Sequence, residues 1–266
     1  MGMTMGMNRS MGSNTHRHAL VTGGGSGIGA AIALALVAQG VCVTVLGRRA
    51  DVLQALVQQH PDSLHAVCAD VADASQVATG FAEATARFGP VHILINNAGQ
   101  ASSAPFVKTD AALWQQMLAV NLTGTFLCTQ AALPDMLRTG WGRIVNVAST
   151  AGLTGYAYVA AYCAAKHGVI GLTKSLALEV AKKGITVNTI CPGYTETDIL
   201  RESIANVVAK TGRSEADARA EFAKGNPQGR IVQPAEVADT VLWLCGEGAS
   251  SITGQSISVS GGEVMQ

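Results

Sequence analysis

The sequence has no excess of either charge: 18 Lys and Arg balance 18 Asp and Glu. Nucleic acid or an anionic membrane surface would call for a basic excess, so neither is expected as a partner and small-molecule chemistry is favoured. It also has no CxxC pair and no Cys/His cluster. Its six cysteines (Cys42, Cys68, Cys128, Cys163, Cys191, Cys245) stand mostly in apolar runs, where a thiol behaves as a small hydrophobe, and a reducing cytoplasm fits best. His60, His65, His92 and His167 form no ligand spacing, so no metal is expected. No apolar run has membrane length, and residues 1–15, rich in Met, Gly, Ser and Asn, contain no continuous hydrophobic segment of a signal peptide. They are read as a disordered or vector-derived tail. There is no internal repeat and no interdomain linker, which leaves residues 16–266 as one domain with one substantial core.

What is present is a regular alternation. Unbroken apolar runs at 19–22, 41–46, 64–69, 91–95, 143–148, 185–190 and 256–259 look like parallel strands covered on both faces. Between them, 27–39, 49–60, 74–88, 111–138, 157–183 and 235–245 are long enough and rich enough in Ala and Leu for helices. The pattern predicts an α/β fold of right-handed βαβ units in a single doubly wound parallel sheet. Residues 194–230 break the alternation with helical, charge-mixed sequence after the sixth strand. Insertions at the carboxyl ends of parallel strands are where ligands bind, so this segment reads either as a helical lid or as a surface helical pair without a part in catalysis.

The first strand runs into Thr22-Gly23-Gly24-Gly25-Ser26-Gly27-Ile28-Gly29, which opens the first helix. There, backbone N–H groups and a helix N-terminus can receive a pyrophosphate, provided no Cβ holds it away. The spacing is TGxxxGxG rather than GxGxxG, and by itself it also fits a tight strand-helix connection. No carboxylate ends the second strand. Arg48 and Arg49 stand there instead, which favours the 2′-phosphate of NADP(H) over the bare ribose of NAD(H), with Arg48 the better candidate. If both arginines are merely solvated at a helix start, NAD(H) stays possible. Asp70 and Val71 after the third strand can meet the adenine, and Asn97, Ala98 and Gly99 after the fourth let backbone approach the cofactor. Each of these also fits ordinary turn chemistry.

Ser149 follows the fifth strand, and Tyr162 and Lys166 are spaced to share one face of the next helix. A phenol with an ordinary pKa of about 10 needs a nearby cation to act as a base at neutral pH, and Lys166 can supply it. Tyr162 would then exchange a proton with a substrate oxygen held by Ser149 while a nicotinamide exchanges hydride with carbon. Tyr156 and Tyr158 lack a lysine four residues on.

These motifs, in this order, resemble the short-chain dehydrogenase/reductase family from about Ala19 to Gly262. The resemblance implies a Rossmann-type fold, an Asn-Ser-Tyr-Lys active site and a homotetramer or homodimer. It adds Asn121 as the holder of a relay water, Lys166 as a partner of the nicotinamide ribose, and Pro192, Gly193, Thr195 and Thr197 as the stretch beside the carboxamide. Ser260 stands where aspartate is frequent, which weakens inference about a C-terminal interface. The segment 149–192 most resembles 3-oxoacyl-thioester reductases and polyketide ketoreductases, while the tail also resembles 3-hydroxyacyl-CoA and 3-hydroxybutyrate dehydrogenases. The expected substrate is therefore a 3-oxoacyl or 3-hydroxyacyl thioester on CoA or a carrier. A dehydrogenase of another secondary alcohol, cyclic ketone, sugar or free 3-hydroxy acid, or a non-catalytic nucleotide-binding relative, are the alternatives.

Overall fold

The computed structural model describes residues 17–265. The tail expected over residues 1–15 lies outside them. Seven strands form one sheet: β1 His18–Thr22, β2 Cys42–Gly47, β3 Leu64–Cys68, β4 Val91–Asn96, β5 Gly142–Val147, β6 Ile185–Pro192 and β7 Ser256–Val259. All neighbours run parallel in the order β3-β2-β1-β4-β5-β6-β7. The chain builds outward from β1 to β3, then restarts at β4 and builds the other way. The reversal between β1 and β4 opens a crevice at their carboxyl ends, the place where such sheets bind ligands.

The unalternating strands are explained by a core on each side of the sheet. Ala19, Val21, Val43 and Val45 point to one side, where α1 (Gly27–Ala38), α2 (Ala50–Val57) and α9 (Pro234–Cys245) bury Ile32, Leu36, Leu53, Val237 and Val241. Leu20, Leu46, Leu94 and Ile144 point to the other, against Val77 and Phe81 of α3 (Ala74–Phe88), Cys128 and Met136 of α5 (Gly124–Thr139), and Ala177 of α6 (Ala160–Val180). Successive residues of a strand point to opposite faces, so a strand covered twice must be apolar at every position.

One expected helix is divided, while the segment read as a helical lid or a helical pair is helical as expected. The helix expected over 111–138 is α4 (Ala111–Leu118) and α5 joined by a wide π turn at Ala119–Thr123. The segment 194–230 carries α7 (Asp198–Thr211) and α8 (Glu215–Ala223) around a small core of Leu200, Ile204, Ala218 and Ile231. Its charges are used locally: Arg219 pairs with Glu196, Arg201 with Asp198 at 2.5 Å, and Lys224 with Glu221 at 2.7 Å. No described helix is long and apolar enough to cross a membrane.

His18, fully buried on β1, gives the fold an acid-sensitive point. Its Nδ1–H donates to the Gly89 carbonyl at 2.8 Å, so Nε2 accepts from the Thr44 hydroxyl, also at 2.8 Å. Burial holds its pKa down to about 4, from an ordinary 6.5. A depressed histidine costs nothing above the unfolded value. As pH falls from 6.5 towards 4, the unfolded chain gains a proton that the fold refuses, and stability is lost across that window. The full loss is about 3 kcal/mol. Urea midpoints at about pH 7 and about pH 4.5 should separate more for the wild type than for His18→Gln, and equal separations would remove His18 as the cause.

Candidate active site

The glycine-rich turn is shaped by close backbone approach. Gly23 has φ +62°, and a Cβ on Gly29 would stand 2.2 Å from the Gly23 carbonyl oxygen. Thr22 and Asn97 fasten the turn to the end of β4: the Asn97 and Ala98 N–H groups both donate to Thr22 Oγ1 at 3.0 Å, and Asn97 Nδ2 donates to the Thr22 and Gly23 carbonyls at 3.0 and 3.1 Å. Helix α1 then begins at Ser26 with no side-chain cap and no acidic residue in its first turn. The first N–H groups of such a helix are left for an acceptor from outside, and its dipole favours an anion. The residues present thus fit a dinucleotide pyrophosphate. Ile28 packs on the core beneath, and Thr197, the N-cap of α7, faces Gly27 across the crevice, where a Cβ on that glycine would come within 3.1 Å of Thr197 Cγ2.

Arg48 and Arg49 lie exposed at the end of β2. Arg48 stands 3.9 Å from Asp70, and Arg49 donates to Ser26 Oγ at 3.0 Å while standing 3.9 Å from Asp198. The Arg49 guanidinium therefore sits against the glycine-rich turn and the Arg48 guanidinium beside Asp70, each with only a long ion pair to a carboxylate. Asp70 accepts from the Ala72 N–H at 2.9 Å, and Val71 is buried against Gly124 of α5.

The chemical residues meet at the ends of β4, β5 and β6. Ser149 caps the short turn Thr150–Gly152, and its Oγ accepts from the Ala151 N–H at 3.1 Å, which leaves its own hydrogen free to be donated. Tyr162 and Lys166 lie one turn apart on α6, with Lys166 Nζ 5.6 Å from the Tyr162 ring centre. Burial pushes the Tyr162 phenol up to about 12, and its hydrogen bond with Ser149 works against that rise. The Lys166 ammonium is buried, donates to the Val147 carbonyl at 2.9 Å and is pushed down to about 8. Burial thus outweighs the Ser149 hydrogen bond at Tyr162, which is held as a phenol.

Asn121 belongs to the π turn. Its Nδ2 donates to the Gln100 and Met117 carbonyls at 2.9 and 3.0 Å, and its Oδ1 accepts from the Gln100 N–H at 3.2 Å. This brings it against Gly99, where a Cβ would stand 2.8 Å from Asn121 Oδ1 and 3.5 Å from Lys166 Nζ. Asn121, Gly99 and Lys166 therefore share one small space. At the end of β6, Pro192 and Gly193 lead towards α7, Thr195 Oγ1 donates to the Gly193 carbonyl at 2.9 Å, and Thr197 Oγ1 donates to the Thr195 carbonyl at 3.2 Å.

Some participants carried no signal in the sequence. A buried polar ladder lies just below the site: Asn96 Nδ2 donates to Asn146 Oδ1 at 2.8 Å, Asn146 Nδ2 to Thr173 Oγ1 at 2.8 Å, and Thr189 Oγ1 to the same hydroxyl at 2.9 Å. It ties β4, β5, β6 and α6 together where the reacting groups must stay in register. Tyr156, set aside for want of a lysine, bridges Thr150 and the C-terminal Glu263, and no spacing rule links residues so far apart.

The model of the short chain dehydrogenase family matches residues 17–207. The D-beta-hydroxybutyrate dehydrogenase of Rhizobium meliloti is 37% identical over 261 residues, covering 93% of this chain and 98% of that one. The 3-oxoacyl-[acyl-carrier-protein] reductase of Aquifex aeolicus is 37% identical over 247 residues, covering 91% and 95%. Among solved structures, an actinorhodin polyketide ketoreductase variant with NADPH superposes with a TM-score of 0.90 at 38% identity, covering 94% of this chain and 98% of that one. With a glycine-rich turn at the sheet's switch point and its fold matched over 94% of its length, the chain belongs to the short-chain dehydrogenase family and is an NAD(P)-dependent oxidoreductase acting on carbonyl and alcohol groups.

Proposed function

We propose that the protein reduces a 3-oxoacyl thioester to the 3-hydroxyacyl thioester with NADPH, on CoA or a carrier protein. The observation that carries the chemistry is the meeting of Ser149, Tyr162 and Lys166 beside Gly99 and Asn121. The bound dinucleotide supplies the hydride. Ser149 donates its free hydrogen to the carbonyl oxygen and fixes the substrate. Tyr162, held as a phenol at neutral pH, gives that oxygen its proton. Lys166 binds the nicotinamide ribose and stands next in line to restore the proton, with Asn121 placing the relay water; both roles rest on family resemblance.

Arg48 and Arg49 support the choice of NADPH. A charge-assisted hydrogen bond to phosphate is worth about 1.5–3 kcal/mol, so kcat/KM should favour NADPH over NADH by about tenfold or more. The substrate rests on relatives that act on β-keto or β-hydroxy acyl groups. The hydroxybutyrate dehydrogenase among them also favours a second reading, oxidation of a free 3-hydroxy acid. One assay decides: acetoacetyl-CoA and longer 3-oxoacyl thioesters beside acetoacetate, cyclic ketones and sugars, each with both cofactors. Turnover confined to the non-thioesters would overturn the substrate, and a preference for NADH would overturn the cofactor. A homo-oligomer is part of the same proposal, supported by Trp114 on α4, Phe126 on α5 and Trp243 on α9, all partly exposed to solvent.

A further inference from the structure

The chain ends in a tight turn placed against both the lid and the catalytic end of the sheet. Gly261 (φ +63°) and Gly262 (φ +94°) carry it past Asn226 and Pro227 at the far end of the lid segment, and a Cβ on Gly261 would overlap the Asn226 side chain. Asn226 is itself fixed, donating through Nδ2 to the Arg230 carbonyl at 2.7 Å and accepting from the Gln228 N–H at 2.8 Å. This turn delivers Glu263 to the carboxyl end of β6. A Cβ on Gly193 would stand 2.6 Å from Glu263 Oε2, and one on Gly225 would stand 3.4 Å from Oε1. Oε1 accepts from the Tyr156 hydroxyl at 2.5 Å, and the same hydroxyl lies 3.0 Å from Thr150 Oγ1. Thr150 directly follows Ser149 and opens the short turn that Ser149 caps.

We infer that Glu263 is a positioning residue: through Tyr156 and Thr150 it latches the Ser149 turn to the end of the lid, so that Ser149 Oγ is aimed at the substrate only when the C-terminal turn is seated. The inference rests on the role proposed above for Ser149. A phenol has one hydrogen, and Tyr156 gives it to the carboxylate, its strongest acceptor here, which leaves its oxygen to accept from Thr150. That fixes the direction of both bonds and holds the Thr150 side chain in one orientation. The C-terminal turn and the serine turn are thereby joined by two hydrogen bonds across parts of the chain that share no strand or helix, and the end of the lid segment packs on the first of them at Gly225 and Asn226. A small misplacement of a substrate-holding group is enough to cost a large factor in rate.

The test is a cycle on the full-length enzyme with whichever carbonyl substrate the wild type turns over. Glu263→Ala and Tyr156→Phe should each lower kcat about tenfold, with the Kd for NADPH and the Tm little changed. The double variant should be no worse than either single one, because both break the same link. Glu263→Gln keeps an acceptor oxygen for the Tyr156 hydroxyl and should restore most of kcat, which a charge-only or merely structural role would not predict. Wild-type kcat in Glu263→Ala, or multiplying losses in the double variant, would overturn the latch. Should Glu263→Ala fail to fold, Tyr156→Phe and Glu263→Gln carry the same comparison. Ser149→Ala separates the two levels. If it leaves kcat intact, the proposed role of Ser149 is wrong. If it removes turnover while Glu263→Ala does not, only the latch is wrong.

Discussion

Tyr162→Phe should lower kcat about a thousandfold while the Kd for NADPH stays within about twofold of the wild type. The substitution removes one oxygen and keeps the ring that packs on α6. What is lost is the phenol that stands beside Ser149 as the acid for the substrate oxygen. Tyr156 does not replace it, because its hydroxyl is committed to Glu263 and Thr150. Tyr158 points elsewhere, exposed on the loop before α6. Stopped-flow hydride transfer and cofactor titration check the two halves separately. A variant that keeps more than about a tenth of wild-type kcat would mean that another group donates the proton, and the assignment of Tyr162 would be withdrawn.

The second large effect is expected at the opposite end of the crevice. Gly29→Ala adds one methyl group 2.2 Å from the Gly23 carbonyl oxygen and 2.5 Å from Asn97 Nδ2. Neither neighbour is the free end of a flexible side chain: one is backbone, and the other is held by two hydrogen bonds. The helix must therefore retreat from the turn, and the N–H groups that would meet the pyrophosphate go with it. Affinity for NADPH should fall by about a hundredfold, since several charge-assisted hydrogen bonds lose their geometry together. The Tm should also drop, because overpacking a closed contact costs about 1–3 kcal/mol. Isothermal titration with NADPH and a thermal melt check both. Retained affinity would show that the turn binds in another shape.

Much of the fold was legible in the sequence because its strongest signals are short-range. Apolar runs without alternation report two covered faces, and both cores in the structure bear that out residue by residue, Ala19 and Val21 to one side, Leu20 to the other. The pair Tyr162 and Lys166 was legible for the same reason, since four residues along a helix is a fixed distance. Less legible was the balance of forces on that pair. Spacing places an ammonium beside a phenol, but the depth at which both are buried depends on what packs over them, and burial dominates here. The link from Tyr156 to Glu263 was not legible at all, because it joins the lead-in of one helix to the last turn of the chain through the folded sheet. Arg48 and Arg49 stand between these cases. Their position at the strand end followed from pattern, whereas their loose pairing with Asp70 and Asp198 needed the third dimension.

The π turn at Ala119–Thr123 also explains why one helix was expected where two half-helices do different jobs. A π turn is an α-helix with one surplus amino acid, so the segments on either side are out of phase by about 100°. In α4 the inward stripe meets α6, while in α5 it meets β4 and α3. A single straight cylinder has one inward stripe and could serve only one of those neighbours. The extra residue lets a continuous rod change partners halfway along. At the point of changeover Asn121 is carried inward to Gln100, where a regular helix would have kept it in line with its own turn.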